Sequence, residues 1–462
     1  MDSGNSTAEL LASPSQKQLA NTRGVITSGQ TVLFRLPRGD IKSVVLKQNS
    51  TVSLGKAVTF HANELIGDPY GLAYEIVNQK LHRLPPKTIQ ELELTEATNE
   101  LINDDKVVQP LTTAEIEALK QSGVHSSEII QKQIEQHANF ALKTEYSKEK
   151  YKKRKEAKFS KTFATIEPTL YNVCEYWYTK DQSRIRDIRA DALSQMLNLA
   201  SVRPGGRYLI VDEASGVLVA GALDRLGGSG KVVNICNIES APMYPVVQSM
   251  NLDQGMIKRT LVSLNWAMVQ EDYVPVLPPT EVPSGELYSD KQTHRISKRK
   301  AVVDQLDANR QDFFSGEFDG LLVSSEYDPW SILEMTCTYL SGSASIVFHC
   351  PHLQILVDLQ AKMKSAGGYL GANVTEAWKR KYQVLPGRTH PTMNMSGSGG
   401  YILHAFKMYL IHSALVFFHF RSDVFAVSMI PMHKRYSFTA KRSVRSKNWL
   451  QFKGRKSHPA RM

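Results

Sequence analysis

One strand–helix–strand pattern near the middle of the chain constrains the fold more than any other feature. It predicts a buried strand at Arg207–Val211 (RYLIV) that closes at Asp212, a helix at Gly216–Leu226, and a second strand at Lys231–Cys236 (KVVNIC). A glycine turn (GGSG) lies between the helix and the second strand. Strand, helix, glycine turn and strand together form the βαβ unit of a parallel sheet. The sequence therefore predicts an α/β domain.

This α/β domain is predicted to cover residues 166–407. Further strands are expected at Gly320–Val323 and Ser345–Phe348, where short apolar runs are bounded by turn signals. Residues 275–311 are polar and include several prolines. We therefore expect an exposed insertion there.

The N-terminal part of the chain has a different pattern. Thr31–Leu36 and Ile41–Lys47 are apolar runs separated by Pro-Arg-Gly-Asp, which predicts a β-hairpin. Short strands are also expected at Thr51–Leu54 and Ala57–Phe60. This density of short strands predicts a small all-β, barrel-type domain over residues 23–95. Residues 1–22 are small and polar, and we expect them to be disordered.

A helical linker with a strongly basic helix is predicted over residues 96–165. Thr112 and Glu115 have the spacing of a capping box, so a helix should start there, and a second helix should begin near Ser127. The second helix leads into Lys148–Lys161, which holds eight Lys and Arg residues and two Glu. Such a run can neutralise nucleic-acid phosphates. A solvated basic helix, or one that faces an acidic partner, is the alternative.

The net charge of the chain says little about its partners. The formal net charge is +11, but residues 408–462 alone carry 11 basic residues and one acid. The argument for nucleic acid therefore rests on the local run at 148–161. The four cysteines form no Cys-x-x-Cys pair, the N-terminus has no secretory signal, and the apolar stretch Met408–Phe420 is too short to span a membrane. We expect an intracellular protein with reduced cysteines and no membrane partner.

Two turns could carry chemistry. The first strand of the βαβ unit ends in Asp212-Glu213-Ala214-Ser215-Gly216, which is related to the Asp/Glu-x-Gly-x-Gly turn of S-adenosylmethionine-dependent methyltransferases. The second turn, in FDGLLVSSEYDPW at 318–330, offers Glu326 and Asp328 but no clear nucleophile. An ordinary strand-to-helix turn and a surface loop with a proline stop are the alternatives. No metal-ligand cluster with the required spacing is present in the sequence.

Five stretches of the sequence are similar to those of one known family. They are LFRLPRGDIKSVVLK (33–47), SLGKAVTFHANELIGDPYGLAYEI (53–76), KYKKRKEAKFSKTF (150–163), RPGGRYLIVDEASG (203–216) and YQVLPGRTHPTMNMSGSGGYIL (382–403). On these stretches the chain resembles the non-catalytic subunit of the eukaryotic tRNA (adenine-58-N1)-methyltransferase, in its fungal form.

The resemblance implies an N-terminal β-barrel followed by a Rossmann-like methyltransferase domain with a degenerate cofactor site. It also implies a heterotetramer of two such chains and two catalytic chains. The catalytic partner binds S-adenosylmethionine, and both chains hold the tRNA. No cofactor, metal or catalytic residue is expected in this chain. Ser297–Lys300 (SKRK) is compatible with a nuclear import signal, and we expect a nuclear location.

The residues support a degenerate pocket independently of the family name. Ala214 replaces the first glycine of the turn, and Ser325 stands where the catalytic relative has an acid in Asp-Leu-Pro-x-Pro-Trp. Two losses on opposite sides of one pocket indicate a pocket that is no longer used. The alternative is a pocket that still binds, because Glu239, after the second strand, could act as the acid that holds a ribose. The residues that mark this predicted degenerate pocket are Asp212, Ala214, Gly216, Ser325, Asp328, Pro329 and Trp330.

The basic helix is the predicted grip on tRNA phosphates. Its residues are Lys150, Lys152, Lys153, Arg154, Lys155, Lys158 and Lys161. Arg388 is a weaker candidate for RNA contact, and a loop arginine paired with an acid is its alternative. Two other functions stay open at this point: an active methyltransferase with an atypical pocket, and an assembly or translation-factor subunit.

Residues 408–462 depart from the family. This atypical basic tail matches no part of the resemblance, and we interpret it as a gene-model artefact, such as a retained intron that starts near Lys407. If the tail is real, its charge could bind RNA.

Overall fold

The computed structural model describes most of the chain between residues 24 and 408. The described residues are 24–37, 39–55, 58–77, 79–85, 112–122, 126–136, 140, 147–148, 151–152, 155, 161–238, 240, 242–275, 290–384 and 389–408. Residues 1–22, with their predicted disorder, and almost all of the predicted basic tail lie outside this set. Within these ranges, no helix combines the length and the apolar character that crossing a membrane requires.

The described strands and α-helices divide into an all-β set and an α/β set. The strands are β1 Thr31–Arg35, β2 Ile41–Val45, β3 Thr51–Gly55, β4 Val58–His61, β5 Ala73–Val77, β6 Lys80–Leu84, β7 Thr162–Ile166, β8 Arg207–Asp212, β9 Lys231–Cys236, β10 Leu261–Asn265, β11 Phe318–Ser324, β12 Leu340–Cys350, β13 Tyr369–Glu376, β14 Tyr382–Gln383, β15 His390–Pro391 and β16 Tyr401–Lys407. The helices are α1 Thr113–Gln121, α2 Ser126–Glu135, α3 Leu170–Lys180, α4 Ala190–Leu199, α5 Val217–Leu226, α6 Pro245–Ser249, α7 Gln254–Thr260, α8 Asp290–Phe314, α9 Pro329–Thr336 and α10 Leu353–Ala366.

The N-terminal strands enclose an aromatic core. A five-stranded antiparallel sheet has the order β2-β1-β7-β5-β6, and β3 pairs with β4 in a separate hairpin. The ring of Phe163 lies 5.3 Å from Phe34, 5.1 Å from Phe60 and 5.5 Å from Tyr74, measured between centroids. Aromatic pairs at this separation add to the stability gained from burial. The predicted β1–β2 hairpin is confirmed, as is the all-β class of this domain.

The position of β7 differs from the prediction. Residues 162–165 fall within the predicted helical linker, but β7 lies in the middle of the N-terminal sheet, paired with both β1 and β5. Its Phe163 is also central to the aromatic core. Pairing between strands so far apart in the chain has no local sequence signal, whereas the basic helical pattern before it is strong.

The first linker helix begins as the sequence predicts. The backbone N–H of Thr112 donates to Glu115 Oε2 at 2.8 Å, and the N–H of Glu115 donates to Thr112 Oγ1 at 3.3 Å. This reciprocal pair is a capping box, and α1 starts at the next residue, Thr113. α1 and α2 share a small core that contains Ile116, Ile129 and Ile130.

A seven-stranded sheet forms the centre of the α/β domain. Its order is β10-β9-β8-β11-β12-β16-β13, with β16 antiparallel to both of its neighbours. The five strands from β10 to β12 are parallel. Alternate residues of β8 face opposite sides: Tyr208 and Ile210 belong to one core, and Leu209 and Val211 belong to the other. The predicted fold class, an all-β N-terminal domain followed by a Rossmann-like domain, is therefore confirmed.

The predicted insertion at 275–311 contains most of a long helix. α8 has 25 residues, and its C-terminal end is held by buried Phe313 and by Arg310, which donates to the carbonyls of Met268 and Gln270 at 2.8 Å each. Much of the remaining helix is exposed. The sequence did not reveal this helix because its first half lacks the apolar face by which hydrophobic periodicity identifies a helix.

Candidate functional site

The glycine turn lies at the carboxyl end of β8, where it starts α5. Asp212 Oδ1 accepts from the N–H of Ala214 at 2.8 Å and of Gly216 at 3.2 Å. Asp212 Oδ2 accepts from the N–H of Leu218 at 2.7 Å and of Val219 at 3.0 Å. Burial raises the pKa of the Asp212 carboxyl, and these four hydrogen bonds act in the opposite direction. The carboxylate therefore serves the chain's own helix start.

A tyrosine lies directly against this turn. Gly216 has a φ of +85°, and a Cβ placed on it would be 2.9 Å from the Cβ and Cδ1 of Tyr244. The Tyr244 hydroxyl accepts from Asn234 Nδ2 at 2.8 Å and lies 2.5 Å from Ser263 Oγ. Both Tyr244 and Ala214 are buried. The space beside the glycine is thus occupied by a side chain of the same protein.

The crevice between β8 and β11 is closed by a second set of contacts. In open α/β sheets, ligands bind at the carboxyl ends of the strands where the strand order reverses, which here is between these two strands. Glu213 Oε2 accepts from Ser325 Oγ at 2.8 Å and from the N–H of Glu326 at 2.7 Å. Arg186 donates to the Ser325 carbonyl at 2.7 Å and forms an ion pair with Glu326 at 3.1 Å. We call these residues, with Asp212 and Tyr244, the closed crevice.

The Asp-Pro-Trp stretch after β11 begins a helix. Asp328 Oδ2 accepts from the N–H and the hydroxyl of Ser331, both at 2.9 Å, and Pro329 is the first residue of α9. Burial opposes ionisation of Asp328, but the Ser331 hydrogen bonds and the charge of Lys362 bring its pKa below the ordinary value. The Trp330 ring packs edge-on against Tyr369 at 6.4 Å. These contacts account for Asp328, Pro329 and Trp330 as structural residues.

A cleft of about 860 Å³ remains beside the closed crevice, at the ends of β11 and β12. Three residues of the closed crevice also line this cleft, together with three of the predicted pocket residues and two basic side chains; these residues are Arg186, Ser325, Glu326, Asp328, Pro329, Trp330, His349 and Lys362. His349 Nε2 lies 3.1 Å from the Gly399 carbonyl, and burial lowers the pKa of this imidazole to about 4. Nowhere in the described ranges do three or more His, Cys, Asp or Glu side chains form a group that could hold a metal ion.

The predicted RNA-binding residues are only partly described. Lys150, Lys153, Arg154, Lys158 and Arg388 lie outside the described residues. Lys152 is exposed, and Lys155 Nζ lies 5.1 Å from the centre of the Tyr151 ring. Exposed Lys161 directly precedes β7, and its carbonyl accepts from the N–H of Ile76 at 3.1 Å.

Sequence reasoning missed three residues that close the crevice. Glu213 lies within the turn that the sequence singled out, but its reach to Ser325 depends on the pairing of β8 with β11. Tyr244 and Arg186 both adopt positive φ, at 44° and 52°, in loops with no recognisable motif. No signal in the sequence identifies either of them.

A profile of the Gcd10p family matches residues 25–304, which is more than half of the chain. The chain belongs to the Gcd10p family. The expected membership is therefore confirmed, and the match covers the N-terminal sheet, the glycine turn and the start of α8.

Two relatives of this chain carry the name tRNA (adenine(58)-N(1))-methyltransferase non-catalytic subunit TRM6. The relative from Debaryomyces hansenii is 29% identical, with 83% of this chain and 87% of that protein covered. The relative from Kluyveromyces lactis is 30% identical, with 82% of this chain and 86% of that protein covered. Among solved structures, the tRNA (m1A58) methyltransferase TrmI from Aquifex aeolicus is 15% identical with a TM-score of 0.42, covering 84% of this chain and all of that one. The fold assignment rests on the strand order given above.

Proposed function

We propose that this chain is a non-catalytic subunit of a tRNA (adenine-58-N1)-methyltransferase. In this proposal it supports a catalytic partner, which holds S-adenosylmethionine and methylates N1 of adenosine 58, and it helps to bind the tRNA. Two such chains and two partner chains form the complex, which works in the nucleus. The observation that carries the proposal is the closed crevice, and the names of the family relatives agree with it.

The closed crevice argues against a cofactor in this chain. A ligand at the β8–β11 switch point would displace the hydrogen bonds that join Glu213 to Ser325 and to the Glu326 N–H. Hydrogen bonds to a charged group contribute roughly 1.5–3 kcal/mol each, so their replacement is costly unless the ligand offers equal partners. A ligand above the turn would also have to displace Tyr244, whose hydroxyl and ring are both engaged.

The pocket can be tested by calorimetric titration of S-adenosylmethionine into the isolated chain and into its complex with the catalytic partner. We expect binding by the complex and none by the isolated chain. Micromolar binding by the isolated chain, lost in the variant Gly216→Val, would contradict the proposal. That outcome would instead favour an active methyltransferase with an atypical pocket, and the search for a catalytic residue would move to Glu326 and Asp328.

The RNA part of the proposal rests on the basic run at 148–161. Eight Lys and Arg residues against two Glu give this segment the charge density that releases counterions from a phosphate backbone. The described members Lys152 and Lys161 are exposed. Nothing in this run requires a particular base, so we expect it to position tRNA and not to read its sequence.

Charge reversal tests this part. We expect the variant of the complex with Lys152, Lys153, Arg154 and Lys155 all changed to Glu to bind tRNA at least tenfold more weakly in a filter-binding titration. The circular dichroism spectrum and the association with the partner should be unchanged. The variant Lys364→Glu, at an exposed site on α10, is the control. Equal affinity in the two variants would remove the basic run from the proposed function and would favour an assembly or translation-factor subunit.

A further inference from the structure

The exposed half of α8 presents basic side chains on one face. At 100° per residue, Arg295, Lys298, Arg299 and Val302 fall within about a third of the helix circumference. All four are exposed, and Val302 has 63% of its surface accessible. We call Arg295, Lys298 and Arg299 the basic stripe. Lys300 is also exposed, but at 100° per residue it lies on a different face of the helix.

The basic stripe differs from several ion-paired basic side chains of the α/β domain. Arg207 pairs with Asp312 at 2.9 Å, and Arg203 with Asp319 at 3.5 Å. In the part of the chain that the structure describes, no ion pair involves a residue of the stripe. Moreover, Arg295 and Arg299 are four residues apart, a spacing at which like charges destabilise a helix by about 0.2–0.5 kcal/mol.

The helix that carries the stripe is fixed at its other end. Phe313 is buried, and the Arg310 guanidinium lies 5.3 Å from the Tyr273 ring as well as donating to two carbonyls. A helix of 25 residues is roughly 37 Å long, so anchoring its last turns places the stripe well away from the anchor. The three charges therefore lie at fixed spacing along a helix that is anchored at its C-terminal end and exposed to solvent where the stripe lies.

We propose that the basic stripe binds RNA phosphates as a second contact with tRNA, separate from the run at 148–161. This inference rests on the proposed function, because that function supplies the RNA. Three cations on two adjacent turns of one helix face, with no ion pair among the described residues, suit a polyanion with closely spaced charges. The bound phosphates would also relieve the repulsion between Arg295 and Arg299.

Recognition of Ser297–Lys300 as a nuclear import signal is the competing explanation. These basic residues lie on two different faces of the helix: Lys298 and Arg299 belong to the stripe, and Lys300 does not. An import receptor that reads consecutive basic residues would require all of them, whereas a phosphate backbone lying along the stripe does not require Lys300. This difference between neighbouring residues makes the two explanations separable.

The test uses the complex of the full chain with its catalytic partner and an in vitro transcribed tRNA. The triple variant Arg295→Gln, Lys298→Gln, Arg299→Gln keeps good helix-forming residues while it removes the stripe's charge. We expect tRNA affinity to fall roughly 10- to 100-fold at 0.1 M salt, and the slope of log affinity against log salt to decrease by about 3. Lys300→Gln, on the same helix, should change affinity less than about twofold.

Direct contact is tested by crosslinking. Val302→Cys, which lies on the same face as the stripe, would carry a photoactivatable label, and Lys364→Cys on α10 would carry the same label as a control. We expect a tRNA crosslink at position 302 and none at position 364.

The outcomes separate this inference from the proposed function. If the triple variant binds tRNA as well as Lys300→Gln does, while the charge reversal at 152–155 weakens binding, the stripe is excluded and the proposed function stands. If Lys300→Gln and the triple variant both block nuclear import with tRNA affinity unchanged, the segment is an import signal and the inference is wrong. No tRNA binding by the unaltered complex overturns both.

Discussion

The closed crevice and the basic stripe use polar groups in opposite ways. In the crevice, Asp212 and Glu213 together accept six hydrogen bonds from the chain's own donors. On the stripe, three cations form no ion pair within the described residues. Because buried polar groups must be paired and exposed ones need not be, the first arrangement stabilises the chain and the second leaves charge for a partner.

The difference teaches where function can be sought in a methyltransferase fold of this kind. At the carboxyl end of β8 the chain pairs its own acidic groups, while the exposed half of α8 carries basic side chains that form no ion pair within the described residues. Mutations in the crevice should therefore change the free energy of unfolding, and mutations in the stripe should leave it almost unchanged.

Loss of the Asp212 carboxylate should have the largest effect. In Asp212→Ala, four buried N–H groups at the start of α5 lose their acceptor, and we expect the free energy of unfolding to fall by about 3–5 kcal/mol. Urea unfolding followed by circular dichroism measures this. Asp304→Ala, at an exposed position of α8, is the control and should stay within about 0.5 kcal/mol of the parent. Similar values for the two variants would remove the proposed contrast.

His349, at the wall of the cleft, should make stability depend on pH. Burial lowers its folded-state pKa to about 4, below the ordinary 6.5, so between these values the unfolded chain binds a proton that the folded chain does not. Stability from this group is complete above pH 6.5 and is lost as the pH falls toward 4, by up to about 3 kcal/mol. Urea unfolding at several pH values between 7.5 and 5 measures the slope of the free energy of unfolding against pH.

The slope can be assigned to His349 by substitution. His349→Gln should flatten it, and His294→Gln, at an exposed site of α8, should not. Burial also lowers the pKa of His404, so a smaller slope should remain in His349→Gln. An identical slope in the parent and in His349→Gln would contradict the assignment.

The stripe should give the smallest effect. Replacing Arg295, Lys298 and Arg299 by Gln removes like-charge repulsion and no described ion pair, so we expect the free energy of unfolding to stay the same or to rise by about 0.2–0.5 kcal/mol. Parallel urea titrations of the parent and the triple variant measure this. A loss of more than about 1 kcal/mol would mean that the stripe has a structural partner, and it would weaken the contrast with the crevice.

Local patterns in the sequence predicted much of the fold. The βαβ unit, the β1–β2 hairpin and the capping box at Thr112 all depend on residues close together in the chain, and each is present. The turns that contain Ala214 and Ser325 were also recognisable, because each directly follows a predicted strand. What the sequence could not show is that Glu213 reaches across to Ser325, since this contact requires the pairing of β8 with β11.

Two elements escaped prediction for different physical reasons. The first half of α8 lacks an apolar face, so hydrophobic periodicity does not mark it as a helix. Tyr244 covers the glycine turn through a backbone conformation with φ of 44°, which few residues other than glycine adopt. Such a conformation is maintained by its surroundings, here the hydroxyl contacts with Asn234 and Ser263.

The central place of β7 has a consequence for how the chain is made. A ribosome releases β1 to β6 first, but the strand that joins β1 to β5 emerges only after the entire basic segment has been synthesised. Until then Phe34, Phe60 and Tyr74 lack Phe163, around which their core is built. The N-terminal domain therefore completes its folding late, when the α/β domain is about to appear, and the nascent chain carries exposed aromatic surface through that interval.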